Sequence, residues 1–325
     1  DARTLLPNPE PPKPAAAAAV EIGSLVVVPG EPARLYAVIG RRLYRSEDGG
    51  QSWAAESSAG LPAGVDMRKV AIDDQHPERL YLTTLQGIYR RDGQGEWRLV
   101  HALYASALAV DFRDPNVLWA GGSGPGLPVQ KSSDGGRTWA RADAGMTATL
   151  SKLSVVTDIL VNPNNPDMLW AVTLAPSALW RRVGDGAWER LNLGAFDRGP
   201  VPGDDTGYAA GIAYDPHANL LFVGCTADDY NKGSVLLLRS PNADAPEAGA
   251  IRWELAARFP PLADPLWSGG SLRPLAVDAR QPKSLFVALS VYDVRKAQGS
   301  NQLFVSHDAG ASWQEMGLKG VDLTP

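Results

Sequence analysis

Cysteine is nearly absent from this 325-residue chain: there is one, Cys225, in the apolar run LLFVGC. A single thiol excludes an internal disulfide framework and a cysteine-based zinc site, and its neighbours mark it as a small buried hydrophobe. Histidine is also scarce, with four residues at positions 76, 101, 217 and 307, no pair at metal-ligand spacing and no HExxH. A histidine metal centre and a Ser–His–Asp triad are therefore disfavoured, and no metal site is predicted. No apolar run reaches the roughly 18 residues of a membrane-spanning helix. A large charge of one sign is missing too. The net charge of −5 excludes the broad cationic surface that holds nucleic acid or anionic lipid. Helical periodicity is nowhere sustained, so very little helix is predicted.

What remains is an ordinary globular balance, 44% hydrophobic and 21% charged, which suffices for a large core without covalent staples. The opening LLPNPEPPKPAAAAAVEIG lacks strand alternation, and residues 1–23 read as a stiff, extended Pro/Ala-rich tether. Residues 24–325 read as the folded body. The chain starts at Asp1 without Met. A tether of this kind commonly follows a signal sequence or lipid anchor, so an extracytoplasmic protein (secreted, periplasmic or surface-anchored) is expected, with any membrane tether upstream of Asp1.

Internal repetition decides the fold. An Asp or Asn, a Pro four residues on, then Leu and an aromatic recur as DDQHPERLY (73–81), DFRDPNVLW (111–119), NPNNPDMLW (162–170) and DARQPKSLF (278–286). VPGEPARLY (28–36) lacks the acid, and DPHANLLF (215–222) is shortened. Each copy leads through short alternating strands and Gly/Asp turns to a tryptophan: Trp53, Trp97, Trp139, Trp188, Trp253 and Trp313, spaced by 44, 42, 49, 65 and 60 residues. Four short strands per unit are the signature of a β-propeller blade. The prediction is an all-β, single propeller of six blades with four antiparallel strands each, at approximately 24–60, 65–103, 106–147, 152–195, 208–258 and 271–317. A seventh blade assembled from the termini is the alternative, in which GLKGVDLTP (317–325) or the segment before Ser24 closes the ring by adding a strand.

A second motif, S-x-D-x-G-x-x-W, appears as SEDGGQSW (46–53), SSDGGRTW (132–139) and SHDAGASW (306–313). It falls where the third strand of a blade turns into the fourth. Asp48, Asp134 and Asp308 suit acceptance of backbone N–H groups in a tight turn, with Ser46, Ser132 and Ser306 doing so more weakly. Gly50, Gly136 and Gly310 supply positive φ. Trp53, Trp139 and Trp313 open the next strand with a large apolar ring. RRDGQGEW (90–97) keeps Asp92 and Trp97, RRVGDGAW (181–188) keeps only its Trp in register, and the fifth blade carries the insertion SPNADAPEAGAIRW.

These octapeptides resemble Asp-boxes, or bacterial neuraminidase repeats, and about residues 24–317 resemble the Asp-box β-propellers: sialidases, xyloglucan-degrading glucanases, sortilin-type receptors and photosystem II assembly factors. The resemblance implies that the motif is a structural staple on the side of the disc opposite the ligand site, with a calcium or ligand role as the alternative. No cofactor is predicted beyond such a structural calcium ion.

In a propeller the loops between second and third strands and those between blades share one face. On it fall His101, the only histidine able to reach that face, and four long polar loops. FDRGPVPGDDTGY (196–208) brings Arg198, Asp204 and Asp205; TADDYNKG (226–233) brings Asp228, Asp229 and Tyr230; FPPLADPLWSGG (259–270) brings Trp267; VYDVRKAQGSNQ (291–302) brings Tyr292, Asp293 and Arg295. Long loops on a rigid scaffold commonly carry binding. Two carboxylates facing each other across a sugar would make a glycosidase, with Asp204, Asp205, Asp228, Asp229 and Asp293 as candidates. Tyr230, Trp267 and Tyr292 would stack on a ligand, and Arg198 and Arg295 would pair with it. The sialidase pattern is not met, since the first blade reads PARLYAV without an Arg-Ile-Pro motif and the face lacks a Tyr–Glu pair. The xyloglucanase pattern joins two propellers. The expectation is a monomeric, non-catalytic binding or assembly propeller presenting this face to a protein, peptide or glycan. The alternative is a carbohydrate-active hydrolase or lyase using the Asp-rich loops of blades 4–6.

Overall fold

The computed structural model describes residues 21–123, 129–146, 154–174, 177–193, 209–225, 235–259, 268–277, 283–293 and 298–321. Of residues 32, 268–270, 274–275, 291–293 and 298–300 it describes the backbone alone. Each repeat forms one four-stranded sheet with strands hydrogen-bonded in chain order. Blade 1 is β1 (Ile22–Val28), β2 (Glu31–Ile39), β3 (Arg42–Ser46) and β4 (Ala54–Ala55). Blade 2 is β5 (Met67–Ile72), β6 (Arg79–Thr84), β7 (Gly87–Asp92) and β8 (Arg98–His101). Blade 3 is β9 (Ala107–Val110), β10 (Leu118–Gly121), β11 (Val129–Ser132) and β12 (Ala140–Arg141). Blade 4 is β13 (Val155–Val161), β14 (Met168–Leu174), β15 (Ala178–Val183) and β16 (Glu189–Arg190). Blade 5 is β17 (Ala209–Asp215), β18 (Leu220–Cys225), β19 (Val235–Ser240) and β20 (Glu254–Phe259). Blade 6 is β21 (Ser268–Val277), β22 (Leu285–Asp293), β23 (Gln298–Ser306) and β24 (Gln314–Met316). The helix among the described residues is one 3-10 turn, Ala248–Ala250, in the blade 5 insertion.

The first strands of successive blades touch around a closed circuit, β1 to β5, β9, β13, β17, β21 and back to β1. The protein is thus a six-bladed propeller, and the seven-bladed alternative is set aside. The core is not one mass but six apolar clusters, one in each groove between neighbouring blades, the last joining Phe286 and Leu303 of blade 6 to Leu25 and Tyr44 of blade 1.

Both repeated motifs are local turn chemistry. At the end of the first strand, Asp73 accepts the N–H groups of Gln75 and His76, Asp111 those of Arg113 and Asp114, and Asp215 those of His217 and Ala218. Asn162 accepts that of Asn164. These Asx turns reverse the chain into the second strand. In the octapeptide, Ser46 Oγ donates to Asp48 Oδ1 (2.8 Å) and accepts from the Gly50 N–H (2.8 Å), while Asp48 accepts from both the N–H and the Oγ of Ser52. The same bonds recur from Ser132 and Asp134 and from Ser306 and Asp308. In blade 4 Arg181 stands where the serine would be. Its buried guanidinium bonds Glu189 and the carbonyls of Ala245 and Pro246, tying the blade 5 insertion to its neighbour.

A third repeat, missed at sequence level, links blade to blade. Trp97 donates its Nε1–H to Ser57 O (3.0 Å) and its backbone N–H to Ala59 O (2.9 Å) of the preceding blade. Trp188 makes the same pair to Ala142 O (2.8 Å) and Ala144 O (2.7 Å). Each receiving loop ends in a glycine, Gly60 or Gly145, at φ +89° or +95°. A Cβ there would sit 2.2 Å from the tryptophan carbonyl oxygen. The C-terminal segment repeats this latch across the ring: Trp53 donates to Gly317 O (3.3 Å) and Lys319 O (2.8 Å), and Gly320 has φ +90°. The tail therefore closes the ring as a latch, with one isolated parallel bridge, Ser52 to Lys319, and not as a strand of a further blade.

Replacing Gly320, Gly60 or Gly145 by Ala is expected to cost about 1–3 kcal/mol each, from strain at positive φ and the backbone clash. Gly249→Ala, where nothing lies within 4 Å, should stay within about 0.5 kcal/mol. Denaturant midpoints measure both, and an undisturbed Gly320→Ala protein would show that the ring does not depend on the latch.

Acid provides a second test. Hydrogen bonds from Ser52 Oγ, the Ser52 N–H and Ser46 hold Asp48 at about 2, against an ordinary 3.8. Bonds from Thr138 Oγ1, its N–H and Ser132 hold Asp134 at about 2. Burial opposes the shift at Asp308, but bonds from Ser312 and Ser306 still lower it. Because the folded values lie below the free one, these turns contribute fully above 3.8 and lose their contribution as pH falls through about 2. Thermal unfolding from pH 5 to pH 2 should accordingly show a shallower acid slope in the Asp48→Asn, Asp134→Asn double variant than in the parent.

Candidate functional site

The first strand of each blade starts at the face bearing the inter-blade loops, so residues early in that strand form the floor beneath it. Pairing places Ser24, Lys69, Ala107, Asp158, Gly211 and Arg273 at one level, opposite Val38, Thr83, Gly121, Val172, Gly224 and Ala288. In blades 1, 2, 4 and 5 a β-bulge immediately precedes this position, which re-aims the following side chain.

At this level the disc is braced from within. Lys69 Nζ of blade 2 meets Asp158 Oδ1 of blade 4 at 2.7 Å, with side-chain exposures of 17% and 15%. Blade 3 contributes only Ala107 at the same register, which leaves the lysine room to pass. The other oxygen, Asp158 Oδ2, accepts the Ile212 N–H of blade 5 at 3.3 Å. Ser24 Oγ bridges blade 1 to Val70 of blade 2, and Ser106 Oγ bridges blade 3 to Val156 O of blade 4. Arg273 brings a second cation beside Gly211, whose missing side chain leaves contact distance (3.4 Å to a built Cβ) for the arginine stem. An acid with both oxygens engaged by a cation and an N–H is positioned to hold the floor, not to move protons.

Sequence reasoning missed Lys69, Asp158 and Arg273. The available signal was charge inside an otherwise strand-like run, as in MRKVAI and VVTDILV. Of the predicted residues, Tyr292 and Asp293 end β22, their backbones paired with Gly269 and Ser268 on one side and Gly299 and Gln298 on the other. That puts them at the loop-bearing end of blade 6. Arg198, Asp204, Asp205, Asp228, Asp229, Tyr230, Trp267 and Arg295 lie outside the described residues. The expectation that His101 reaches this face is corrected: its ring stacks on Trp139 at 4.7 Å in the groove between blades 2 and 3. Burial lowers its pKa, against a hydrogen bond with Gln130. Among the described residues no group of three or more His, Cys, Asp or Glu is placed to hold a metal ion, and no helix is long and apolar enough to cross a membrane.

No protein-family model and no curated protein matches the sequence. Solved structures do match. The chain is similar to the GH74 xyloglucanase from Xanthomonas campestris, at 17% identity and a TM-score of 0.59 over 93% of this chain and 46% of that one. It is similar to YCF48 bound to D1 peptide, at 14% identity and 0.52 over 92% and 83%, and to the extracellular domain of BT4673 from B. thetaiotaomicron, at 15% and 0.51 over 91% and 33%. At these identities the likeness is one of fold, the β-propeller. The chain spans less than half the length of the xyloglucanase.

Lys69→Met should destabilise the protein by about 2–3 kcal/mol, below the range for a wholly buried pair because both ends retain some solvent. The Lys69→Met, Asp158→Leu double variant should recover much of that loss. A double-mutant cycle of urea midpoints measures the coupling, and a value near zero would rule out the brace.

Proposed function

We propose that the protein is a non-catalytic binding or assembly propeller that works outside the cytoplasm and offers its loop-bearing face to a protein, peptide or glycan. The observation that carries this reading is the commitment of Asp158. It is the one acid at the six-residue floor level, and both its oxygens serve the brace. Glycoside hydrolysis commonly uses two carboxyl groups free to exchange protons and attack across a sugar. A braced floor under long, varied loops suits recognition, in which rigid strands present side chains and the loops supply specificity. The three serine–aspartate turns fit the Asp-box pattern and serve as staples on the opposite face. The Pro- and Ala-rich opening supports a tethered, extracytoplasmic setting, and the neighbours of like fold include a peptide-bound protein and an extracellular domain.

The full chain, titrated against glycan and peptide arrays, should bind saturably without turnover. Alanine at both Tyr230 and Trp267 should weaken binding by about tenfold or more, the loss expected for aromatic contacts worth about 1.4 kcal/mol. Release of reducing ends from a glycan panel, abolished in Asp205→Ala or Asp228→Ala, would overturn the proposal in favour of a carbohydrate-active hydrolase or lyase.

A further inference from the structure

The groove between blades 1 and 2 and the groove between blades 3 and 4 are built on the same plan, and one charge is missing from the second. In the first groove a glutamate bridges two arginines. Glu56 Oε1 lies 3.3 Å from Arg45 Nε, and Glu56 Oε2 lies 2.9 Å from Arg91 Nη2. Arg91 and Glu56 are buried, at 2% and 9% exposure, and the Arg91 guanidinium lies over the Trp97 ring at 4.9 Å.

The second groove has cations at the same two positions. Lys131 directly precedes its motif serine, as Arg45 does, and Arg182 stands six residues before Trp188, as Arg91 does before Trp97. Both cations lie over one ring, that of Trp119, at 5.1 and 5.0 Å. The bridging acid has no counterpart. Glu56 donates its backbone N–H to Leu43 O, and the residue making the equivalent bond, to Val129 O, is Ala142. In place of a carboxylate there is a cavity of about 480 Å³ lined by Lys131, Arg141, Asp143, Arg182 and Asp185 among small residues.

Residues lining the cavity hold buried hydrogen-bonding atoms of both kinds without partners. Arg182 is 9% exposed, and its Nε and Nη1 have no partner. Its nearest acid, the fully exposed Asp185, stands 3.8 Å from Nη2. Asp143, 3% exposed, accepts from Arg141 Nε through Oδ1 at 2.5 Å, while its Oδ2 is buried without a partner. Burial lowers the Arg182 pKa, against the attraction of Asp185, as expected for a cation whose counter-charge is distant. Unpaired buried donors and acceptors are costly and call for a partner.

We propose that this inter-blade cavity is a binding site for a small hydroxycarboxylate, such as a sugar acid. The ligand carboxylate takes the place that Glu56 fills in the first groove, between Lys131 and Arg182. An adjacent hydroxyl donates to Asp143 Oδ2, and the ring of Trp119 backs the two cations from beneath. A cavity of this size holds a ligand of monosaccharide dimensions. The site lies between blades, away from the loop-bearing face, so it is distinct from the surface proposed above.

Thermal unfolding and calorimetry on the full chain test this at constant ionic strength, with D-glucuronate, L-tartrate, phosphate and glucose as probes. A hydroxycarboxylate at about a hundredfold above its Kd should raise Tm by a few degrees, with glucose inert. Arg182→Gln should weaken that binding at least tenfold. Ala142→Glu rebuilds the bridge of the first groove from within. It should raise Tm without ligand and abolish the ligand-dependent shift. The proposal is overturned if neither acid binds, if phosphate alone binds, or if Ala142→Glu binds glucuronate or tartrate as the parent does.

Discussion

A ring of blades holds only if its last member grips its first, and here that grip is the contact between Trp53 and the 317–320 segment. Every sheet is complete within one stretch of chain, so no strand exchange joins the ends. The indole fills the groove between blades 6 and 1, its Nε1–H and the Trp53 backbone N–H find carbonyls 264 and 266 residues away in sequence, and a glycine lets the two backbones approach. The inner strands depend on this closure. Lys69 reaches Asp158 past an intervening blade only when the circuit fixes the distance across the channel.

The grooves between blades hold buried guanidinium groups. Arg91 with Glu56 and Arg181 with Glu189 each carry a guanidinium at 2% exposure into the packing between sheets. A buried pair contributes little net stability, yet removing one partner is costly. Arg91 crosses to Glu56 of blade 1, and Arg181, paired with Glu189 in its own blade, crosses to blade 5 through the Ala245 and Pro246 carbonyls. Arg182 breaks the rule by being buried between blades without a close acid, and the exception marks the groove as more than packing.

The face and the rim have different physical characters. Beneath the loop-bearing face, Lys69 and Asp158 satisfy one another with help from the backbone, which gives the loops a fixed base. At the rim between blades 3 and 4, charges converge on an open cavity. A scaffold with these two regions can hold a large partner on one surface and a small ligand at another.

Much of the architecture is legible along the chain because its determinants are local. An Asp or Asn that turns the backbone over two or three residues, a serine and an aspartate that fold an octapeptide, and a tryptophan at the head of each outer strand all act within a few positions. They fix the number of blades, the strands per blade and the face on which each turn lies. The latch was less legible, since SSAG, ADAG and GLKG share only the glycine, and their partners lie in another blade. The candidate acids and aromatics of the long loops were chosen for chemistry and loop position alone, which says nothing of distances between loops. His101 shows that limit: by position it ends a strand near the face, but packing turned its ring onto Trp139. The amino-acid sequence by itself determined the repeat, the turns and the all-β, six-bladed plan, because those are short-range properties of residues and backbone. Only the tertiary structure decided that Lys69 faces Asp158, that the tail latches onto Trp53, and that Arg182 lacks the carboxylate Arg91 enjoys. Those depend on where separate blades bring side chains together, and no short-range rule encodes that.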